Sequence, residues 1–303
     1  MRRYLITAAA ALAAAGLTVG LTLATRTKTP HRVMQKGVPP LLLDLGVRTD
    51  AEAVALRRAA NLYDAGKLAQ AGAIFARFDS PEARVGQALA DWPDGFGGLM
   101  ATAQANPRSS LVQLEYGLAL FWHGDGADAE AAWRAARRAQ PDTSYALRAE
   151  DFLHPNFPRG LPQFVPSFPS PPALARLSPP EQLAYLRAHA AGDRGRLLYG
   201  VAFQRLGRQQ SALREFRQVG GVEGKVAVAV GLFDKAAPSR TFSRLGPLAR
   251  RYPRNQSVRF HLGLCLLWLG SVDKAKQELR LARAAGPKTT LGIEAQRFLE
   301  RLP

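Results

Sequence analysis

Residues 117–141 read GLALFWHGDGADAEAAWRAARRAQP, and residues 263–287 read GLCLLWLGSVDKAKQELRLARAAGP. The second stretch keeps Gly, Trp, Gly, Ala and Pro in register with the first, 146 residues later. Extended outward without a gap, residues 107–153 and 253–299 share 18 identities in 47 positions. Upstream, NLYDAGKLAQAGAIF (61–75) lines up with AFQRLGRQQSALREF (202–216) at an offset of 141, which places a five-residue insertion near Ala236–Arg240. The chain reads as a tandem duplication, one copy per half.

A shorter unit lies inside each copy. Its first instance is Gly117, Gly124, Ala129, Trp133 and Pro141, and its second is Gly263, Gly270, Ala275, Leu279 and Pro287. Gly200, Gly207, Ala212 and Phe216 follow the same spacing, with Gly224 in place of Pro; so do Gly66, Ala71 and Phe75, with Ala59 in place of the first Gly. Degenerate units fall at 82–107 and 223–253. The spacing suits a helical hairpin. A small first residue and the Ala let two helices touch, the second Gly ends the first helix in a left-handed conformation, and Pro stops the second helix. This pattern resembles the tetratricopeptide repeat over most of 51–153 and 195–300. The resemblance implies an all-α solenoid of stacked hairpins in two duplicated halves, because a single hairpin cannot bury its apolar face. YALRAEDFL (145–153) and LGIEAQRFL (291–299) then read as capping helices.

The resemblance also implies a concave groove lined by the first helix of each hairpin. By repeat register its residues are Leu56, Ala60 and Tyr63; Leu114, Leu118, Phe121 and Trp122; Leu197, Val201, Gln204 and Arg205; and Phe260, Leu264, Leu267 and Trp268. Of these, Tyr63, Leu118, Phe121, Trp122, Gln204, Arg205, Leu264, Leu267 and Trp268 are the candidate partner-binding residues. Relatives that clamp a peptide carboxylate carry Lys and Asn at such places. Here stand Leu, Ala and Val, which suit an amphipathic helix or an extended apolar peptide of a protein partner. The competing reading is that Trp122 and Trp268 pack against a neighbouring helix or the Phe-rich linker.

The 303 residues divide into an N-terminal membrane anchor or signal segment (1–28), a linker (29–50), a first module (51–153), a Pro-rich linker (154–178) and a second module (179–303). Nine prolines in 154–180 exclude a continuous helix and favour extended backbone; a semi-rigid spacer and a docking motif for a Pro-binding partner are the two readings. Phe157, Phe164 and Phe168 are apolar for a free linker, so it is expected to lie along a solenoid face.

No charge occurs from Tyr4 to Ala24, and those 21 residues span roughly 31 Å as a helix, close to a bilayer core. Two readings stand. An uncleaved anchor fits the length; a cleaved secretory signal needs a small-residue site such as Thr22-Leu23-Ala24. The short leading tail favours a body outside the cytoplasm, although Arg26, Lys28 and Arg32 nearly balance Arg2 and Arg3.

The net charge of +17 is uneven: +6 over 1–49, −4 over 50–155 and +15 over 156–303. The basic second half, with Arg250, Arg251 and Arg254 and with Arg205, Arg208, Arg214 and Arg217, supports an alternative function, electrostatic binding of an anionic polymer or lipid surface. Aromatic residues are not interleaved with these arginines, which disfavours nucleic acid. The lone Cys265 excludes an intrachain disulfide. His31, His123, His154, His189 and His261 form no metal-binding spacing, and neither a P-loop nor GxSxG is present. The expectation is therefore a non-enzymatic scaffold with no cofactor, acting in a cell-envelope assembly.

Overall fold

The computed structural model describes residues 35–302. The apolar run 4–24 lies outside the described residues. Within them the chain forms sixteen helices and no strand, and no helix is long and apolar enough to cross a membrane.

The first half is built from α1 (Ala51–Asp64), α2 (Leu68–Phe75), α3 (Pro81–Ala90), α4 (Phe96–Ala105), α5 (Ser110–His123), α6 (Gly126–Ala139) and α7 (Ser144–Leu153). The Pro-rich stretch contributes only the single turn α8 (Pro172–Ala175), followed by α9 (Pro179–His189). The second half continues with α10 (Gly192–Arg205), α11 (Gln209–Phe216), α12 (Gly221–Gly231), α13 (Ser239–Arg251), α14 (Gln256–Trp268), α15 (Val272–Ala285) and α16 (Thr290–Arg301). Helices α1–α7 and α10–α16 repeat one another element by element. The two hairpins read as degenerate are present as α3–α4 and α12–α13, and both expected capping helices form.

Local chemistry sets the boundaries. Asp50, Ser109, Thr143, Asn255 and Thr289 each accept a bond from a backbone N–H in the first turn of the helix they precede. That satisfies donors which have no partner inside the helix. Gly124 and its twin Gly270 end α5 and α14 at φ +91° and +70°, a region that excludes most side chains.

Close packing explains the recurring small residues. A Cβ on Gly117 would lie 2.5 Å from the Trp133 indole, one on Gly200 2.2 Å from Phe216, and one on Gly263 3.0 Å from Leu279. The large residue of each unit thus lies over the first Gly of its own hairpin. It also reaches onward: Trp133 stacks on Phe152 of α7, 5.0 Å between centroids.

The halves meet directly. Asp142, just before α7, accepts from the Ser211 backbone N (3.0 Å) and hydroxyl (2.5 Å) of α11. Lys235, only 3 % exposed, pairs with Asp151 of α7 at 2.5 Å and donates to the Pro158 carbonyl at 2.7 Å. The Pro-rich stretch is consequently spanned by contacts on both sides of it.

Candidate functional site

In each half an extended segment of the chain itself lies over the first helices of the hairpins. In the first half the segment is residues 37–45, GVPPLLLDL; in the second it is residues 160–168, GLPQFVPSF. Both begin at a glycine with positive φ, Gly37 (+83°) and Gly160 (+74°), and both carry Pro two residues later. These are the two stretches that sequence reasoning assigned to linkers. Their prolines forbid helix, but their apolar side chains need cover, and the grooves supply it.

The first strap buries Leu41 and Leu45 among Leu56, Tyr63 and Leu89, while Leu42 packs with the cluster of Leu114 and Leu118. The second buries Phe164 (1 % exposed) among Leu197, Val201 and Phe216, while Val165 packs with Phe260 and Leu264. Adjacent strap residues therefore point into successive hairpin cores in both halves. Phe157 and Phe168 are packed against the same second-half core, as their apolar character suggested.

Side chains of the groove bond the strap backbone at equivalent places. Tyr63 donates its hydroxyl to the Pro39 carbonyl (2.5 Å), and its counterpart Gln204 accepts from Phe164 N (2.9 Å). Glu115 accepts from Leu42 N (2.8 Å), and its counterpart His261 accepts from Val165 N (2.9 Å). Further along, Tyr145 takes Asp44 N and Glu223 takes Ser167 N. Burial pushes the Glu115 carboxyl up to about 8 and pulls His261 down to about 4, because both sites penalise the charged form. Burial raises Tyr63 as well, and it raises the Cys265 thiol.

Straps correct the expected partner surface. Tyr63, Gln204 and Leu264 are buried beneath them, and Arg205 turns aside to donate to Gln182 at 2.7 Å. Leu267 and Trp268 are half-buried against the cluster that holds Val165 and Phe298, and Trp268 Nε1 donates to the Gly160 carbonyl at 3.3 Å. In this half the linker-packing alternative for the tryptophan describes the structure.

The first half differs. Leu118, Phe121 and Trp122 come together in a cavity of about 880 Å³ that opens to solvent. Trp133, Phe152 and Phe157 also line it, together with Pro40 and Leu42 of the strap. Phe121 is 40 % exposed, whereas Leu118 is only 1 % exposed and belongs to the core, which corrects its place on the expected partner surface. Trp122 Nε1, unlike its twin Trp268, has no hydrogen-bond partner among the described residues. Arg148 and Arg159 also line the cavity. Sequence reasoning missed Phe152 and Phe157 as members, because they come from the capping helix and the Pro-rich stretch rather than from a first helix.

Among the described residues, no group of three or more His, Cys, Asp or Glu side chains is arranged to hold a metal ion. His123 is paired with Asp125 at 2.8 Å beside the stacked Phe96 ring.

No family model matches the sequence, and no curated protein matches it. Among solved structures, the chain is similar to the crystal structure of yeast Tom70 at 11 % identity and a TM-score of 0.28, covering 86 % of this chain and 66 % of that one.

Proposed function

We propose that this chain is a tetratricopeptide-like scaffold that captures an apolar segment of another protein in the cavity of its first half. One observation carries the reading: Phe121 and Trp122 line a solvent-open cavity of about 880 Å³ in which Phe121 is 40 % exposed, whereas the equivalent Trp268 is already engaged by the chain's own Gly160 carbonyl. The surrounding Phe121 and Phe152 would cover the apolar side chains of such a segment. The contact at Trp268 is a working example of the seat.

The reading assigns no reaction to the chain. The apolar run 4–24 supports attachment to a membrane, or export after signal cleavage, with the body outside the cytoplasm and acting in an envelope assembly. Native fractionation and N-terminal sequencing distinguish the two.

The docking test places a photo-crosslinking amino acid at Phe121 in the full chain in its native cell. A discrete protein adduct is expected. It should be lost in Trp122→Ala, which removes the aromatic wall of the cavity. Adducts that persist in Trp122→Ala, or none in the parent, would sink the reading.

A further inference from the structure

The basic second half is not uniformly available to an anion. Arg208 and Arg214 face Asp142 at 3.8 and 3.9 Å, Arg205 holds Gln182, Arg196 meets Glu215 at 3.3 Å, and Arg259 meets Glu278 at 2.9 Å. Arg240 is paired with Asp234 and Lys235 with Asp151. Three cations that remain converge on one cleft of about 420 Å³ between α11, α12 and α13: Arg217, Lys225 and Arg244. All three are exposed, and none makes an ion pair or side-chain hydrogen bond among the described residues. The nearest acids in sequence are engaged, Glu215 by Arg196 and Glu223 by Ser167 N. Residues 235–272 contain no Asp or Glu at all.

The cleft is not merely polar. Its remaining lining includes Val219, Val228, Pro247 and Leu248, all apolar. Three unneutralised cations around an apolar floor fit a ligand with an anionic head and a hydrocarbon body. A purely ionic polymer would leave that floor wet and unused.

The duplication supplies an internal comparison. At the places of Arg217, Lys225 and Arg244 the first half carries Ala76, Arg84 and Gly98, and Arg84 is bridged to Asp79 at 2.7 Å. The same scaffold is therefore built without the free charges. Packing does not require them.

We propose that the cleft between α11, α12 and α13 binds an anionic phospholipid, its phosphate held by Arg217, Lys225 and Arg244 and the start of its acyl chains resting on Val228, Pro247 and Leu248. The site is separate from the first-half cavity, and either can fail without the other.

The test titrates the full chain calorimetrically with short-chain phosphatidylglycerol below its micelle concentration, which keeps the apolar run 4–24 out of the measurement. Saturable binding is expected, with short-chain phosphatidylcholine and glycerol phosphate much weaker. Arg217→Glu, Lys225→Glu and Arg244→Glu should each weaken it by about fivefold or more, a loss typical of one cation facing an anionic lipid. Arg254→Glu, which removes the same charge outside the cleft, should leave it unchanged. Circular dichroism confirms that each exposed substitution folds. Equal binding of glycerol phosphate, equal loss in Arg254→Glu, or heparin binding lost in the three variants without any lipid binding would overturn the proposal.

Discussion

Glu115 and His261 occupy the same place in the two copies, 146 residues apart, and each accepts a hydrogen bond from the backbone of the strap lying over it. One is an acid and the other a base, yet both are buried and both serve as neutral acceptors. His261 gives its Nδ1 proton to the Ser257 carbonyl at 2.7 Å, which leaves Nε2 free to receive Val165 N. Phe164 stacks on the same ring, 4.7 Å between centroids.

The two halves should consequently answer pH in opposite directions. Glu115 has a folded pKa above its unfolded value, so its contribution is whole below about 4.5 and is lost as pH rises toward about 8. His261 has a folded pKa below its unfolded value of 6.5, so its contribution is whole above that and is lost as pH falls toward about 4. Glu115→Gln should flatten the alkaline side of the stability profile, and His261→Gln the acid side. Thermal melts of the three proteins across that range check both; an unchanged profile in either variant contradicts the assignment.

Strap side chains should behave as core. Phe164→Ala is expected to cost ~3–5 kcal/mol and Leu41→Ala ~2–5 kcal/mol, because each empties a buried site. Phe121→Ala should cost less, about 1 kcal/mol, since that ring is 40 % exposed and touches only Trp122 and Trp133 among the described aromatic rings. Denaturant titration gives all three values. Limited proteolysis should cut within 160–168 faster in Phe164→Ala than in the parent.

A methyl group on the first Gly of a hairpin should be tolerated unequally. Gly117→Ala drives its Cβ to within 2.5 Å of a bulky indole, and about 2–3 kcal/mol is expected. Gly263→Ala meets the branched end of Leu279 at 3.0 Å, which can shift by a few tenths of an ångström, and about 1 kcal/mol is expected. Equal costs in equilibrium unfolding would contradict the packing described.

Removing Asp151 strands a buried ammonium. Asp151→Ala should destabilise by about 3–5 kcal/mol, whereas Lys235→Met, which removes the charge and keeps the length, should cost far less. Because the pair joins α7 to the second half, the Asp151→Ala loss should separate one cooperative transition into two, visible by calorimetry. A single transition in that variant would show that the remaining contacts, those of Asp142 with Ser211, Arg208 and Arg214 among them, suffice to couple the halves.

Hairpins were legible in the sequence because their signal is positional. Gly117, Gly124, Ala129 and Trp133 each answer a local steric demand, and the demand recurs at a fixed spacing. Straps were not legible in that way. GVPPLLLDL and GLPQFVPSF share little beyond Gly37/Gly160 and Pro39/Pro162, and extended backbone carries no helical period. Their partners are side chains far along the chain, such as Glu115 and His261, which lie in largely apolar helices. The same blindness misplaced Tyr63 and Gln204. Register put them on the first helices of their hairpins, but could not tell that straps cover them there.

Each strap precedes the helices that receive it, and this has a consequence for synthesis. Leu42 is made 73 residues before Glu115, and Val165 96 residues before His261. At ribosomal rates of about 5–20 residues per second, the second strap waits roughly 5–20 s for its acceptor. When it emerges, the groove already complete is the one in the first half, built on the same repeat. Leu41, Leu42 and Leu45 are seated there by then. The first strap thereby denies the second a wrong home, and the order of elements along the chain guards the pairing of each strap with its own half.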